Sequence, residues 1–144
     1  MTPLQVAMVS AAIGNGGVVM RPNLIKRVVT DQQKVIEESE PQKLSEAVTE
    51  DVADKLTTMM EAVVTNGTGS RAAIDGISVA GKTGTAQHAK GKAPHVWFTC
   101  FAPADDPQIA VAVVIEEGGK LGSEAFGGTV AAPIAKTVME AVLK

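Results

Sequence analysis

Residues 76–87 carry the side chains whose types and spacing could do chemistry. The segment reads Gly-Ile-Ser-Val-Ala-Gly-Lys-Thr-Gly-Thr-Ala-Gln, with Lys82 and Thr83 at its centre. Two kinds of site use a lysine followed by a hydroxyl residue. One kind holds the phosphates of a nucleotide, and the other holds an anionic substrate group beside a strand. The elements on either side of the segment distinguish the two.

The nucleotide interpretation rests on residues 76–83, which fit the phosphate-loop pattern G-x-x-x-x-G-K-[ST]. A phosphate loop needs a strand before its first glycine and a helix that begins at the Lys-Thr pair, because N–H groups at that helix start hold the phosphate. Here residues 77–80 are typical of a strand inside the loop, and Gly84-Thr85 is a poor helix start. The pattern therefore favours nucleotide binding only weakly.

On a strand, each residue from Lys82 to Thr85 has a physical task. Lys82 supplies a cation beside a nucleophile and a substrate carboxylate. Thr83 and Thr85 are two residues apart, so their hydroxyls project to one face and can bind one anionic group. Gly84 leaves no side chain where a substrate must approach the backbone. The N–H of Thr85 can donate to a developing oxyanion. We predict all four as substrate-binding residues, with Lys82 and Thr85 catalytic.

A purely structural interpretation of the same residues also exists. Lys82 can be an ordinary solvated lysine on a strand, and Gly84 can mark a β-bulge. Both roles are common for these residue types, and the Lys82-Thr83-Gly84 sequence alone does not exclude them.

Length and composition limit the alternatives. With 144 residues, 45% of them hydrophobic, the chain is one domain or part of one. Its 13 basic and 16 acidic residues include no long basic run, so nucleic acid is not an expected partner. No apolar stretch reaches the length of a membrane span, and the chain is expected to be soluble. No residue pattern indicates a metal or an organic cofactor, and Cys100, the single cysteine, predicts a buried, inert thiol.

The first half of the chain predicts two helices. The first covers residues 2–15, with Thr2 as its cap and a stop at Gly16-Gly17, and its nearly continuous apolar surface predicts cover on several sides. Residues 18–30 predict an extended arm, and residues 31–46 a polar connection. The second helix begins after Thr49 and stops at a left-handed Asn66-Gly67, before a mobile loop. Its predicted apolar face comprises Val52, Leu56, Met59, Met60, Val63 and Val64.

The second half predicts three antiparallel strands at residues 77–87, 96–102 and 109–115, with a hairpin connection at 103–107. The third strand lacks polar alternation, which predicts cover on both faces and therefore helices on both sides of the sheet. Thr129 is predicted to cap a final helix after the glycine-rich residues 118–128. The apolar stripe of that helix is Val130, Ile134, Val138, Met139 and Val142. The fold class is α+β.

Several motifs together resemble one family. In chain order they are Thr2-Pro-Leu-Gln5, Gly14-Asn-Gly-Gly-Val18, Arg21-Pro22, Asn66-Gly-Thr-Gly69, Ala80-Gly-Lys-Thr-Gly-Thr-Ala-Gln87, Trp97-Phe98 and Phe101-Ala-Pro103. Their order and spacing closely resemble the class B penicillin-binding proteins, over nearly the entire chain. The resemblance implies a penicillin-binding transpeptidase fold, similar to the serine β-lactamases, with an antiparallel sheet between helices.

The resemblance also implies that part of the catalytic set lies elsewhere. The family places a Ser-x-x-Lys motif and a Ser-x-Asn motif before the Lys-Thr-Gly strand, and none of the six serines in residues 1–144 fits either motif. We therefore expect this chain to be the C-terminal part of a transpeptidase domain, inactive alone, with the upstream half as its partner. The parent is expected to be membrane-anchored, with the domain on the outer face of the bacterial cytoplasmic membrane.

For that parent the resemblance implies a D,D-transpeptidase that acts on peptidoglycan stem peptides and is inhibited by β-lactams. Two alternatives remain open. One is a D,D-carboxypeptidase or β-lactamase-like enzyme, which passes the acyl group to water. The other is a non-enzymatic binding fragment. Incomplete cover of the apolar strand and helix also predicts self-association of the isolated chain.

Overall fold

The computed structural model describes residues 1–143 and has the predicted α+β class. Its main elements, in chain order, are α1 (Pro3–Gly14), β1 (Val18–Met20), β2 (Arg27–Val29), β3 (Val35–Glu38), β4 (Lys43–Glu46), α2 (Glu50–Thr65), β5 (Ala80–Ala86), β6 (His95–Ala102), β7 (Ile109–Ile115) and α3 (Ala132–Leu143). Three strands form the main sheet, and the other four form two separate ribbons.

The main sheet has the order β5-β6-β7, and both pairs are antiparallel. Its register runs without a shift from Ala80 opposite Phe101 to Ala86 opposite His95. The predicted hairpin at residues 103–107 joins β6 to β7. Within residues 1–143, β5 and β7 are the outer strands, so each has one edge that no strand in this part of the chain pairs.

Helices cover both faces of this sheet, as predicted. Phe98 and Cys100 of β6 lie in one buried cluster, together with Met139 of α3. The alternate residues point the other way, where Thr99 contacts α1 and Phe101 packs with Met60 of α2 and Ile13 of α1. This alternation follows from the strand period of two, which sends neighbouring side chains to opposite faces.

The first helix begins and ends where predicted, but its cover is incomplete. Thr2 accepts a hydrogen bond from the N–H of Gln5, and Gly16 and Gly17 end the helix with positive φ angles of 60° and 88°. Leu4 and Val9 remain 56% and 51% exposed. Part of this apolar surface lines an open groove with Met8, Val9, Ile13, Val19 and Leu56.

The prediction that residues 31–46 form only a polar connection is wrong, because it misses two strands. The segment contains β3 and β4, which pair with β2 and β1 as two antiparallel ribbons. Every residue of β2, β3 and β4 is exposed, so neither face of these three strands is buried. A ribbon without a buried face has no alternation of apolar and polar residues, which is the pattern that predicts strands from sequence.

The second helix has its predicted bounds and most of its predicted apolar face, with Met60 and Val64 buried and Leu56 and Val63 half-buried, but parts of the face and the conformation of its end differ. Its buried residues are Ala53, Met60 and Val64, whereas Met59 is 64% exposed. Thr49 is at the N-cap position, yet its side chain makes no capping hydrogen bond. The left-handed stop is also wrong, because Asn66 has φ −131° and Gly67 has no positive φ. Gly67 is needed for space, since a Cβ there would lie 2.8 Å from the Val63 carbonyl oxygen.

The start of the last helix differs from the prediction. Thr129 does not cap α3; it lies in a turn of π-helix, Gly127–Ala131, and its hydroxyl donates to the carbonyl oxygen of Phe126. The predicted stripe is also mostly exposed, with Ile134, Val138 and Val142 between 41% and 56% accessible. The buried face comprises Ala131, Ala132, Ala135 and Met139. Alanines let the helix axis approach the sheet closely, so small residues take the buried positions.

Among residues 1–143, no single helix combines the length and the hydropathy of a membrane span. Glu116–Glu124 and Gly127–Leu143 reach that length only as a pair, and the two segments meet at a bend of 114°.

Candidate active site

The four predicted site residues lie consecutively in the middle of β5. Lys82, Thr83, Gly84 and Thr85 face Thr99, Phe98, Trp97 and Val96 of β6, with no shift in register. Gly84 is therefore not a β-bulge, and this part of the structural interpretation is wrong. A Cβ at Gly84 would lie only 3.3 Å from the Cβ of Trp97, so this tight contact favours glycine over a larger residue at position 84.

The structure does not have the context that a phosphate loop requires. Lys82 and Thr83 lie inside a strand, and no helix begins at them. The predicted strand also starts later, at Ala80, because Ile77 closes a turn with Ile74 and Ser78 bonds to Asp105. Gly81 has a packing role, since a Cβ there would lie 2.6 Å from the ring of Phe98. The structure therefore does not support nucleotide binding by residues 76–83.

The predicted site residues of β5 differ in exposure. Lys82 and Thr85 are exposed, and Thr83 and Gly84 are half-buried. The ammonium of Lys82 donates to the carbonyl oxygen of Thr83 at 2.6 Å. Thr83 and Thr85 are two residues apart on one regular strand, so their side chains share a side, as predicted.

Thr83 has a partner that the sequence did not indicate. Its hydroxyl oxygen lies 2.7 Å from that of Thr68, which is in the loop between α2 and the short 3₁₀ turn Ser70–Ala72. The sequence predicted only a mobile loop here. The spacing of 15 residues between the two threonines follows no local period, so no pattern in the sequence brings them together.

The π-helical turn Gly127–Ala131 packs against the Thr68–Thr83 pair, and two of its glycines make this close approach possible. A Cβ at Gly128 would overlap the carbonyl oxygen of Thr68, and a Cβ at Gly127 would overlap that of Trp97. Arg71 adds a hydrogen bond of 3.4 Å to the carbonyl oxygen of Thr129. The turn, the Thr68 loop and β5 therefore meet at one place, which fixes the backbone around Thr83.

A cluster of polar side chains lies at the C-terminal end of β5. The rings of His88 and His95 stack with centroids 4.0 Å apart, and the N–H of Glu117 donates to Nδ1 of His95 at 3.0 Å. The Glu117 carboxylate lies 3.7 Å from Nε2 of His88 and 3.7 Å from Nζ of Lys92. These contacts hold the loop after β7 against the β5–β6 connection, at the border of the candidate site.

Three nucleophilic side chains on or beside the main sheet, Cys100, Ser10 and Ser78, are unsuited to acyl transfer. Cys100 is fully buried, and burial raises the pKa of its thiol to about 12, although a hydrogen bond with the Val111 backbone lowers it slightly. The predicted burial of Cys100 is confirmed, and a raised pKa is the property expected of an inert thiol. Ser10 is 1% exposed behind the sheet, bonded to Thr99. The Ser78 hydroxyl donates to Asp105 and holds the pKa of that carboxyl below its usual range.

The amino-acid sequence matches the model of a known family. Residues 1–140 match the penicillin-binding protein transpeptidase domain. The chain belongs to this family. It is 42% identical over its whole length to the peptidoglycan D,D-transpeptidase PbpA of Mycolicibacterium smegmatis, and 40% identical over 96% of its length to the stage V sporulation protein D of Bacillus subtilis. It spans 30% and 22% of these relatives, respectively.

Solved structures of the family have the same fold. The ceftriaxone acyl-enzyme complex of penicillin-binding protein A from M. tuberculosis superposes on the entire chain with a TM-score of 0.93 at 39% identity. The chain covers 33% of that protein. The penicillin G acyl-enzyme complex of the same protein gives a TM-score of 0.85. The predicted fold, an antiparallel sheet between helices of penicillin-binding transpeptidase type, is confirmed.

Proposed function

We propose that residues 1–144 are the C-terminal part of a transpeptidase domain, and that the longer protein containing them is a peptidoglycan D,D-transpeptidase. The observation that carries the proposal is the uninterrupted Lys82-Thr83-Gly84-Thr85 run on the outer strand β5. Matched relatives named D,D-transpeptidases and the acyl-enzyme complexes of a structural neighbour support it. The chain spans about a third of those proteins, and under this proposal the rest of the domain lies outside it.

In the proposed reaction, the nucleophile comes from the upstream half of the domain, in a Ser-x-x-Lys motif. Its hydroxyl oxygen attacks the carbonyl between the two D-alanines of a stem peptide, the terminal D-alanine leaves with a proton, and an acyl-serine forms. An amine of a neighbouring stem then attacks the acyl-serine, loses a proton and releases the serine. A β-lactam forms the same acyl-serine by opening its ring.

This chain would supply one wall of that site. Thr83 and Thr85 present hydroxyls to the terminal carboxylate, and Lys82 provides the positive charge that attracts it. The Lys82 ammonium reaches the Thr83 carbonyl oxygen, which indicates that this oxygen lies at the open edge of β5. Because the N–H groups of alternate residues in a strand point the same way, the Thr85 N–H would point there too. At that edge it can donate to the oxyanion.

The proposal extends to location and partners. A transpeptidase that cross-links stem peptides must reach peptidoglycan, so we place the domain on the outer face of the cytoplasmic membrane, anchored by a segment outside this chain. Its ligands there would be stem peptides and β-lactams, and its structural partner would be the upstream half of the domain.

Product analysis of the longer protein tests the proposal. The protein is incubated with a stem pentapeptide ending in D-Ala-D-Ala and an amine acceptor, and the products are identified by mass spectrometry. We expect a cross-linked product and free D-alanine. A variant with alanine for the Ser-x-x-Lys serine is the control and should give neither.

The alternatives predict other products. A carboxypeptidase releases D-alanine without a cross-linked product, and a β-lactamase-like enzyme hydrolyses a β-lactam over many turnovers. A non-enzymatic binding fragment gives no product and no acyl-enzyme. Any of these three results would contradict the proposed transpeptidase activity.

A further inference from the structure

The hydroxyl of Thr68 contacts the candidate anion-binding residue Thr83 from outside the strand. We propose that Thr68 is a positioning residue, which orients the Thr83 hydroxyl so that its hydrogen points at the carboxylate of the substrate or β-lactam. The inference rests on the proposed function of β5. Its observation is the distance of 2.7 Å between the two hydroxyl oxygens.

The direction of this hydrogen bond follows from the number of hydrogens. Each hydroxyl has a single hydrogen, so only one of the two threonines can donate to the other. A carboxylate beside Thr83 can only accept, and it therefore selects the arrangement in which Thr68 donates to Thr83 and Thr83 donates to the carboxylate. Such a chain is cooperative, because each bond polarises the next.

Thr68 is held in place by its own loop and by the turn behind it. The N–H of Gly69 donates to the carbonyl oxygen of Val63 at 2.9 Å, which closes the loop onto the end of α2. Gly128 packs so closely that any side chain there would overlap the Thr68 carbonyl. The backbone of Thr68 is therefore anchored independently of β5, and from it the Thr68 hydroxyl can fix a rotamer of Thr83.

The same hydroxyl contributes little to the fold. Thr68 is exposed, so water can replace its hydrogen bond to Thr83 when the hydroxyl is removed. A Thr68→Val variant has nearly the same shape and should keep its melting temperature. This separates a role in ligand alignment from a role in stability.

The test uses the longer protein and a pair of ligands, penicillin G and its methyl ester, which lacks the free carboxylate. Second-order acylation rates are measured for the unsubstituted protein, Thr68→Val and Thr68→Ser. We expect Thr68→Val to slow acylation by penicillin G about fivefold to tenfold, the size of one ordinary hydrogen bond. Thr68→Ser keeps the hydroxyl and should stay within about twofold. Acylation by the ester should be equally slow in all three proteins.

A double variant provides a second check. If Thr68 acts through Thr83, Thr68→Val should have no further effect in a Thr83→Val background. Should Thr68→Val fail to fold, Thr68→Ala removes the same hydroxyl with less bulk and gives the same comparison.

Two results would overturn the positioning role: equal slowing with penicillin G and its ester, which indicates a structural effect, or no slowing with either. Failure of the unsubstituted protein to be acylated at all is a different result. It would overturn the proposed function, and the role of Thr68 with it.

Discussion

The ammonium of Lys82 lies 2.6 Å from the carbonyl oxygen of Thr83, the next residue on the same strand. The charge of Lys82 is thus held close to the backbone of β5 at Thr83. A substrate carboxylate bound at this strand would be attracted by that charge, and the attraction grows as the distance shortens. The contact makes separate predictions possible for the charge, the hydroxyls and the backbone N–H.

Removal of the Lys82 charge should reduce acylation strongly. In the longer protein, Lys82→Ala should lower the second-order acylation rate by penicillin G about 100-fold or more, because a cation is lost where negative charge collects. Lys82→Arg keeps the charge but places it on a longer, planar group, so it should recover only part of the rate. A rate for Lys82→Ala within threefold of the unsubstituted protein would show that Lys82 is an ordinary surface lysine.

Two substitutions at Thr85 separate its hydroxyl from its backbone. Thr85→Ala should cost about 1 to 3 kcal/mol of transition-state stabilisation, the value for a hydrogen bond to a charged group. Thr85→Pro also removes the N–H and should be far worse. The acylation rates of both variants are compared after circular dichroism has confirmed that each is folded. Equal rates would remove the oxyanion role assigned to the Thr85 N–H.

The sequence predicted the main sheet well because its signals are local. β7 was placed at its observed bounds from a continuous apolar run, and its cover by helices on both faces followed from the same run. The Lys82–Thr85 segment falls in the strand predicted at residues 77–87, and Gly84-Thr85 is a poor helix start, which opposes the phosphate-loop alternative. These signals depend on one residue and its near neighbours, so they survive in a single sequence.

The missed features depend on tertiary contacts. β3 and β4 lack a buried face, so no alternation marks them. The buried face of α3 consists mainly of alanines, because close approach to the sheet favours small residues over the larger ones that a stripe analysis selects. The contact between Thr68 and Thr83 joins a loop to a strand, and residue types alone do not reveal it.

The buried thiol of Cys100 provides a test of the core. Because burial raises its pKa to about 12, the native protein should not react with a thiol reagent at pH 8, whereas the protein unfolded in urea should react at once. The pKa is higher in the folded state, so the contribution of this group to stability is complete below pH 9 and is lost as the pH rises towards 12. Rapid reaction of native protein at pH 8 would contradict the burial of Cys100.

Isolated residues 1–144 should self-associate. The outer edge of β7 is unpaired within residues 1–143, and the α1 groove exposes Val9 and other apolar side chains. Both surfaces favour association with another copy. Light scattering should detect dimers or larger species, and a hydrophobic dye should bind. A monodisperse monomer that binds no dye would show that these surfaces need no further cover.

The most direct test of the central claim is labelling with a fluorescent penicillin. The claim is that residues 1–144 supply the Lys-Thr-Gly wall of an acylation site whose nucleophile lies upstream. Residues 1–144 alone and the longer protein are each incubated with the label, then examined by denaturing gel and intact-mass measurement. We predict a covalent adduct of one penicillin on the longer protein and none on residues 1–144. An adduct on residues 1–144 alone, or no adduct on the longer protein, would contradict the claim.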